Sequence, residues 1–327
     1  MNLVEVLNEF RTDDDCRNYL EKLRWPNGVR CLRCNSSNVR RLDVEVKIGK
    51  KGQKQTEQRP VIECKICEYQ FSITAGTIFH DSHLPLTKWF LVVALMCESK
   101  KGISANQIKR TIGCQYRTAW YLCHRIRKAM EKGELFTGPK LGAGGKIVES
   151  DETYIGGKYD KRRKRGAYEK PAVQGIVERQ GKIRVMQITT ASAKILTDNL
   201  KAHVADDVKF VATDELAAYK KIGNLFPHRS VNHSELEWVR GIVHTNSVEG
   251  FWSLFNRQLI GAHHQVSTKH LHRYLNESEY RFNRRKEDNL FSKTLGYMVT
   301  TDKMMYQELI SQPAPAIFGQ REEEEPF

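Results

Sequence analysis

Two short cysteine pairs, Cys31 and Cys34 in CLRC and Cys64 and Cys67 in CKIC, constrain this chain more than any other feature. A C-x-x-C segment makes a tight knuckle that points two thiolates at one ion, and two knuckles complete a tetrahedral four-sulfur site. Closure leaves no open position for a reactant, so the spacing predicts a structural zinc ion in a zinc ribbon over residues 31–80. The interval between the pairs is long. It holds alternating DVEVKI and PVIE on either side of a basic stretch, GKKGQKQ, and reads as two hairpins joined by a long basic loop in which Lys50, Lys51 and Lys54 suit phosphate or solvent.

The remaining four of the eight cysteines, Cys16, Cys97, Cys114 and Cys123, lack ligand spacing and read as small apolar residues. The opening MNLVEVLNEFRTDDD carries acids where a signal peptide carries basic residues. The longest apolar run, Trp89 to Cys97, is far short of the roughly 20 residues that cross a bilayer. A cytoplasmic location with no membrane partner is expected, nucleoid-associated when bound, where reduced thiols favour metal over disulfides.

Charge points to the partner. Fifty-three Lys and Arg against 39 Asp and Glu leave a net +14 on 327 residues, which favours a polyanion through counterion release. Nucleic acid is the leading partner on this ground and anionic membrane the second; the zinc ribbon, helix-turn-helix and acids taken together single out double-stranded DNA.

Periodicity and punctuation divide the chain further. Residues 1–30 read as an N-terminal helix from Leu3 to Leu23. Residues 86–135 hold three helices in LTKWFLVVALMCESK, GISANQIKRTIG and QYRTAWYLCHRIRKAM, arranged as a helix-turn-helix DNA-binding domain. TGPKLGAGG supplies a linker over residues 136–145. Residues 146–290 alternate strands (KIVESDETYIGG, AVQGIVE, KIRVMQITT, VKFVAT) with helices, which implies an α/β domain with a mixed sheet. Residues 291–327 form a C-terminal extension with an acidic tail, QREEEEPF.

Asp151 follows the strand KIVES and Asp214 follows VKFVAT, so both acids fall at strand ends, where α/β sheets place their sites. Glu249 lies in the first turns of the helix HTNSVEGFWSLFN. Three carboxylates from two strands and a helix suit two hard divalent ions, magnesium or manganese, about 3.5–4 Å apart, a pair that serves in-line displacement at phosphorus. Glu149 and Glu152 are weaker candidates, because one lies back on the strand and the other points away.

At SDETYIGG, TDELAAY and HTNSVEGFWSLFNRQLIGAHHQVSTKHLHRYLNESEYRFNRR the chain resembles DDE-type bacterial insertion-sequence transposases of the Merlin-related group, whose N-terminal zinc ribbon matches CLRC and CKIC. The resemblance implies an RNase H-like catalytic domain, two catalytic divalent ions, binding of terminal inverted repeats, and DNA cleavage and strand transfer. It maps the three acids onto Asp151, Asp214 and Glu249, with Asn246, one turn before Glu249, as a rival third residue. The group tends to carry a Lys seven residues after its third acid. Here Asn256 stands at that place and Arg257 follows.

In the helix-turn-helix reading, Gln115, Tyr116, Arg117 and Trp120 lie near the start of the recognition helix, and Arg125 contacts phosphate. The run Lys161, Arg162, Arg163, Lys164 and Arg165 suits a clamp on DNA. Arg281, Arg284 and Arg285 line a channel or a solvated face. Joining two element ends calls for a homodimer or higher assembly on DNA. The alternative function is a catalytically inactive, domesticated regulator that keeps the zinc ribbon and helix-turn-helix.

Overall fold

The computed structural model describes residues 1–48, 55–134, 139–156, 171–232, 235 and 237–311. The chain begins with two helices, α1 (Leu3–Glu9) and α2 (Asp13–Arg24), where periodicity predicts one. Thr12 makes the break. Its hydroxyl accepts from Asp15 N at 3.2 Å while the Asp15 carboxylate accepts from Thr12 N at 2.9 Å, a reciprocal capping box that starts a new helix. The signal, T-x-x-D, is present in the sequence.

Strands β1 (Val39–Ile48) and β2 (Gln55–Cys64) form one long antiparallel hairpin, and the short β3 (Gln70–Phe71) pairs on the other side of β2. The expected pair of hairpins is therefore a single three-stranded sheet. Lys50, Lys51 and Lys54 lie outside the described residues. Helices α3 (Leu86–Glu98), α4 (Ala105–Ile112) and α5 (Tyr116–Glu134) follow at the predicted places, and Gly113 takes φ +62° between the last two.

The second sheet comprises β4 (Ile147–Tyr154), β5 (Ala172–Glu178), β6 (Ile183–Ile188), β7 (Phe210–Thr213) and β8 (His228–Ser230), in the order β6-β5-β4-β7-β8. Helix α6 (Ala193–His203) joins β6 to β7; α7 (Asn246–Gln258), α8 (Thr268–Asn283), α9 (Leu290–Thr300) and α10 (Tyr306–Ser311) complete the chain. The first three strands run antiparallel, whereas β4, β7 and β8 run parallel. Strand β8 has only three residues, HRS, too short and polar to register as a strand in the sequence.

The described residues form two compact units. The first contains Met1–Glu98, Lys109–Lys132 and Asp288–Tyr306. Phe10, Phe90 and Phe291 form its aromatic centre, with centroids 4.7 Å apart for Phe10 and Phe90 and 5.8 Å for Phe90 and Phe291. Tyr19 Oη donates to Ser292 Oγ at 2.8 Å, Ile78 N donates to Met298 O at 3.3 Å, and Thr77 bridges Asp302. Helix α9, assigned from sequence to a C-terminal extension, is thus core to the unit that begins at Met1.

In the second unit the five-stranded sheet is apolar on both faces. One face packs Val148, Ile176, Ile188 and Val211 against Leu196, Leu200, Tyr219 and Phe226. The other packs Val173, Val177 and Val185 against Val248, Phe251, Trp252, Leu271 and Leu275 of α7 and α8. Alternate residues of β5 therefore serve opposite cores, which explains the nearly continuous apolar run AVQGIV.

Candidate active site and metal centre

The four cysteines of the two knuckles bring their sulfurs within 4.8 Å of one another. Cys31 Sγ lies 3.6 Å from Cys67 Sγ, and Cys34 Sγ lies 3.5 Å from Cys64 Sγ. A tetrahedral zinc with bonds of about 2.3 Å places its sulfurs roughly 3.8 Å apart, so the all-sulfur set fits zinc. The knuckles are built alike. Asn35 N donates to Cys31 O at 3.0 Å and Glu68 N to Cys64 O at 2.9 Å, and both residues turn left-handed, at φ +58° and +54°. Pairing of Val39 with Cys64 along the β1–β2 ladder holds the two knuckles together.

Asp151 lies inside β4, three residues from its end. On the β7 side, however, the parallel pairing ends at Glu149 and Ala212, so Asp151 sits where that neighbour has run out. Asp214 is the residue after β7, and its Oδ1 accepts from Leu216 N at 3.1 Å. Glu249 is in the first turn of α7, with Oε1 accepting from Thr245 Oγ at 2.6 Å. Asn246 is the exposed first residue of that helix.

Burial is the first cause that raises the Asp151 carboxyl, to about 7, and the carboxylates of Glu152, Asp214 and Glu249 add to it. Glu152 is raised as well, by burial and by Asp214, against the opposing hydrogen bond that Tyr219 Oη donates to its Oε2 at 2.9 Å. The carboxylates of Asp214 and Glu249 are thus among the charges felt at Asp151. Among the described residues, only the four cysteines set three or more candidate ligand atoms within 4.8 Å of one another.

Gly175 pairs with Asp151 across the β4–β5 ladder. A Cβ at Gly175 would lie 2.7 Å from Trp252 Cζ2, so the bare backbone admits the indole ring. Trp252 Nε1 then donates to Asp151 Oδ2 at 3.0 Å. Sequence reasoning overlooked this pair. Two signals were available: a glycine inside a strand, which marks close approach, and a Trp three residues after Glu249 on the same helix face.

Gln115, Tyr116 and Arg117 are exposed at the start of α5, with the Arg117 guanidinium 4.0 Å over the Tyr306 ring. Trp120 is half-buried against His124, at a centroid distance of 4.3 Å. Arg125 departs from the expected phosphate contact. It is 4% exposed, sits 5.0 Å over Trp89 and 5.1 Å over Tyr121, and donates Nη2 to His80 O at 2.6 Å, so aromatic faces and a carbonyl engage it inside the first unit. Arg257 is exposed and donates to Ser253 Oγ at 2.7 Å. Arg281 donates to Gln258 Oε1 and Arg285 to Gly181 O, so both are engaged within their own unit. Lys161, Arg162, Arg163, Lys164 and Arg165 lie outside the described residues.

Comparison with known proteins fits both centres. The ISXO2-like transposase domain family matches residues 142–283, the sheet with its three acids, and the transposase zinc-ribbon domain family matches residues 11–70. The chain is thus similar to transposases over two separate segments, one matching a zinc ribbon and the other an α/β domain. The second of these, the ISXO2-like transposase domain, spans less than half of the chain. An uncharacterized protein in transposable element ISH50 of Halobacterium salinarum is 28% identical over 292 residues, spanning 84% of this chain and 92% of its own length. No solved structure matches the chain significantly. No described helix is long and apolar enough to cross a membrane.

Proposed function

We propose that this chain is a DNA transposase that binds the terminal inverted repeats of its element and catalyses divalent-cation-dependent cleavage and strand transfer. The observation that carries the reading is the placement of three acids about one sheet: Asp151 on the centre strand β4, Asp214 just after its parallel neighbour β7, and Glu249 in the first turn of α7, which packs on that sheet. So much negative charge at one end of a sheet calls for cations, and an oxygen-only donor set suits magnesium or manganese. An RNase H-like domain is supported by the order β6-β5-β4-β7-β8, with acids at the centre strand and at its parallel neighbour.

In this reading Asp151, Asp214 and Glu249 hold the cations, which would activate the attacking oxygen and stabilise the leaving oxygen of the phosphodiester. The chain's own residues set the acids. Trp252 Nε1 fixes one Asp151 oxygen, Leu216 N fixes Asp214, and the Thr245 hydroxyl fixes Glu249. Glu249 is the third acid in preference to Asn246, because a carboxylate is the better ligand for a hard divalent cation. Helices α4 and α5 act as the helix-turn-helix, with Gln115, Tyr116 and Arg117 toward base edges. The five consecutive cations of residues 161–165 add affinity for the backbone, and two bound ends require a dimer or higher assembly.

The test is cleavage of labelled element-end DNA by purified protein, in magnesium against EDTA and wild type against Asp214→Asn. Magnesium-dependent cutting lost in the variant is expected. Tight, specific binding without cutting under either cation would replace this reading with that of an inactive regulator, which Asn256 in the place of the family's usual Lys favours.

A further inference from the structure

Glu149 is completely buried, two residues before Asp151 and on the same face of β4, yet it does not reach the acid cluster. Its carboxylate is instead filled from α7. Ser247 N donates to Oε2 at 2.7 Å and Val248 N at 3.2 Å, while Ser247 Oγ donates to Oε1 at 3.0 Å. These are free N–H groups of the first turn, the turn that carries Glu249 and lies three residues ahead of Trp252.

The second partner of Glu149 is a cation with three tasks. Arg179, the residue after β5, donates Nε to Glu149 Oε1 at 2.6 Å, Nη1 to Ile242 O at 2.7 Å and Nη2 to His244 O at 2.9 Å. His244 Nδ1 lies 3.3 Å from the same carboxylate oxygen. One buried ion pair therefore ties the centre strand, the end of β5, the segment entering α7 and the first turn of α7 into a single node. A neutral residue at 149 would leave the Arg179 charge without its partner and the Ser247 and Val248 amides without an anionic acceptor.

We infer that Glu149 is a positioning residue: with Arg179 it fixes the depth and rotation of α7 on the sheet and so sets Glu249 and the Trp252 indole against Asp151. This inference rests on the divalent-cation site proposed above. The consequence differs from that of a general core contact. Losing the node moves one acid and one hydrogen-bond donor relative to the strand acids, while the exposed residues of α5 keep their own surroundings.

The experiment uses full-length, zinc-loaded protein and three substitutions, Glu149→Gln, Arg179→Lys and Ser247→Ala. Bound Mn2+ is titrated by EPR, and element-end cleavage is resolved into kcat and KM for DNA. For Glu149→Gln we expect half-saturating Mn2+ to rise by about 10- to 100-fold and kcat to fall by a comparable factor, with KM for DNA within about threefold of wild type. Ser247→Ala, which removes one neutral hydrogen bond, should change each quantity by less than about fivefold. If Glu149→Gln does not fold, Arg179→Lys decides alone. It retains a cation for Glu149 but loses the fork to Ile242 and His244, and should show the same split at smaller size.

A folded Glu149→Gln protein with wild-type Mn2+ binding and kcat overturns the inference while leaving the site intact. So does a matched fall of kcat and rise of KM, which would mean general loosening. Wild-type protein that takes up no Mn2+ and cuts nothing overturns the site itself, and the inference with it.

Discussion

The Trp252 indole reaches Asp151 only because residue 175, directly across the strand pair, has no side chain. The N–H donates at 3.0 Å to Asp151 Oδ2, and the ring occupies the space that a Cβ on Gly175 would enter. An aromatic of α7 and a centre-strand acid are thus joined through a glycine on a third element.

Gly175→Ala should push the ring away from Asp151. Overpacking of this kind costs about 1–3 kcal/mol of stability, read by urea unfolding, and cleavage should fall with it. Trp252→Phe removes the N–H without the crowding, so its stability loss should be smaller while its loss of cleavage is similar. Equal and unchanged cleavage in both would mean the hydrogen bond is idle.

A carboxyl that gives up its proton only near pH 7 makes cation binding compete with protons. Apparent Mn2+ affinity should fall as pH drops from 7 to 5, approaching tenfold per pH unit, and level off above 7. The same shift has a stability sign. Between the ordinary carboxyl value and about 7, the folded protein keeps a proton that the unfolded chain has released, so cation-free stability declines as pH rises through that window. Glu279, held near 7 by burial against the pull of Arg184, contributes the same slope. Of Asp151 and Glu279, Asp151 alone belongs to the proposed cation site, so the gain in Tm on adding Mn2+ should grow from pH 6 to pH 8, and Asp151→Asn should flatten that growth.

Glu249 and Asn246 compete for one role, and substitution separates them. Glu249→Gln should reduce cleavage by at least about 100-fold, since several kcal/mol of charge stabilisation depend on each acid. Asn246→Ala, at an exposed helix start, should stay within about threefold of wild type. The reverse ranking would transfer the third acid's role to Asn246.

Arg117 and Arg125 lie two turns apart on one helix but face different surroundings. Arg117→Ala should weaken binding to element-end DNA and reduce the slope of log affinity against log salt by about one, with little change in Tm. Arg125→Ala should do the opposite, costing about 2 kcal/mol of stability through its lost aromatic and carbonyl partners, with DNA affinity per folded molecule preserved. Salt-dependent binding isotherms beside thermal melts distinguish the two.

Freshly purified protein should carry one zinc per chain. Removing it with a strong chelator, or substituting Cys64→Ser at the end of β2, should unfold the three-stranded sheet and lower Tm, and zinc but not magnesium should restore the chelated protein. A metal-free protein with an unchanged melt would deny the cysteine cluster its structural role.

Most of this was legible in the chain where the signal is local. The cysteine spacing, the three helices before the linker, the strand that holds Asp151 and the strand that leads into Asp214 all announce themselves through periods and punctuation. The helical spacing of Leu271, Tyr274 and Leu275 places them on one face of α8, and all three are buried. What escaped depends on distant residues. Nothing in the neighbourhood of Arg125 announces that Trp89 and His80 will enclose it. Glu149 looks like one more strand acid until α7, about 100 residues later, lays its first turn on it. The β8 segment is too short to carry a period at all.

Helix α9 also fixes an order of events. Phe291, Leu295 and Met298 are buried in the unit that opens the chain, alongside Phe10 and Phe90. During synthesis, residues 1–98 leave the ribosome first but cannot close their core until residues near 300 have followed. The five-stranded sheet, complete by then, is free to fold while the earlier unit still waits. A message cut short before α9 would yield a chain whose oldest part is the part left open.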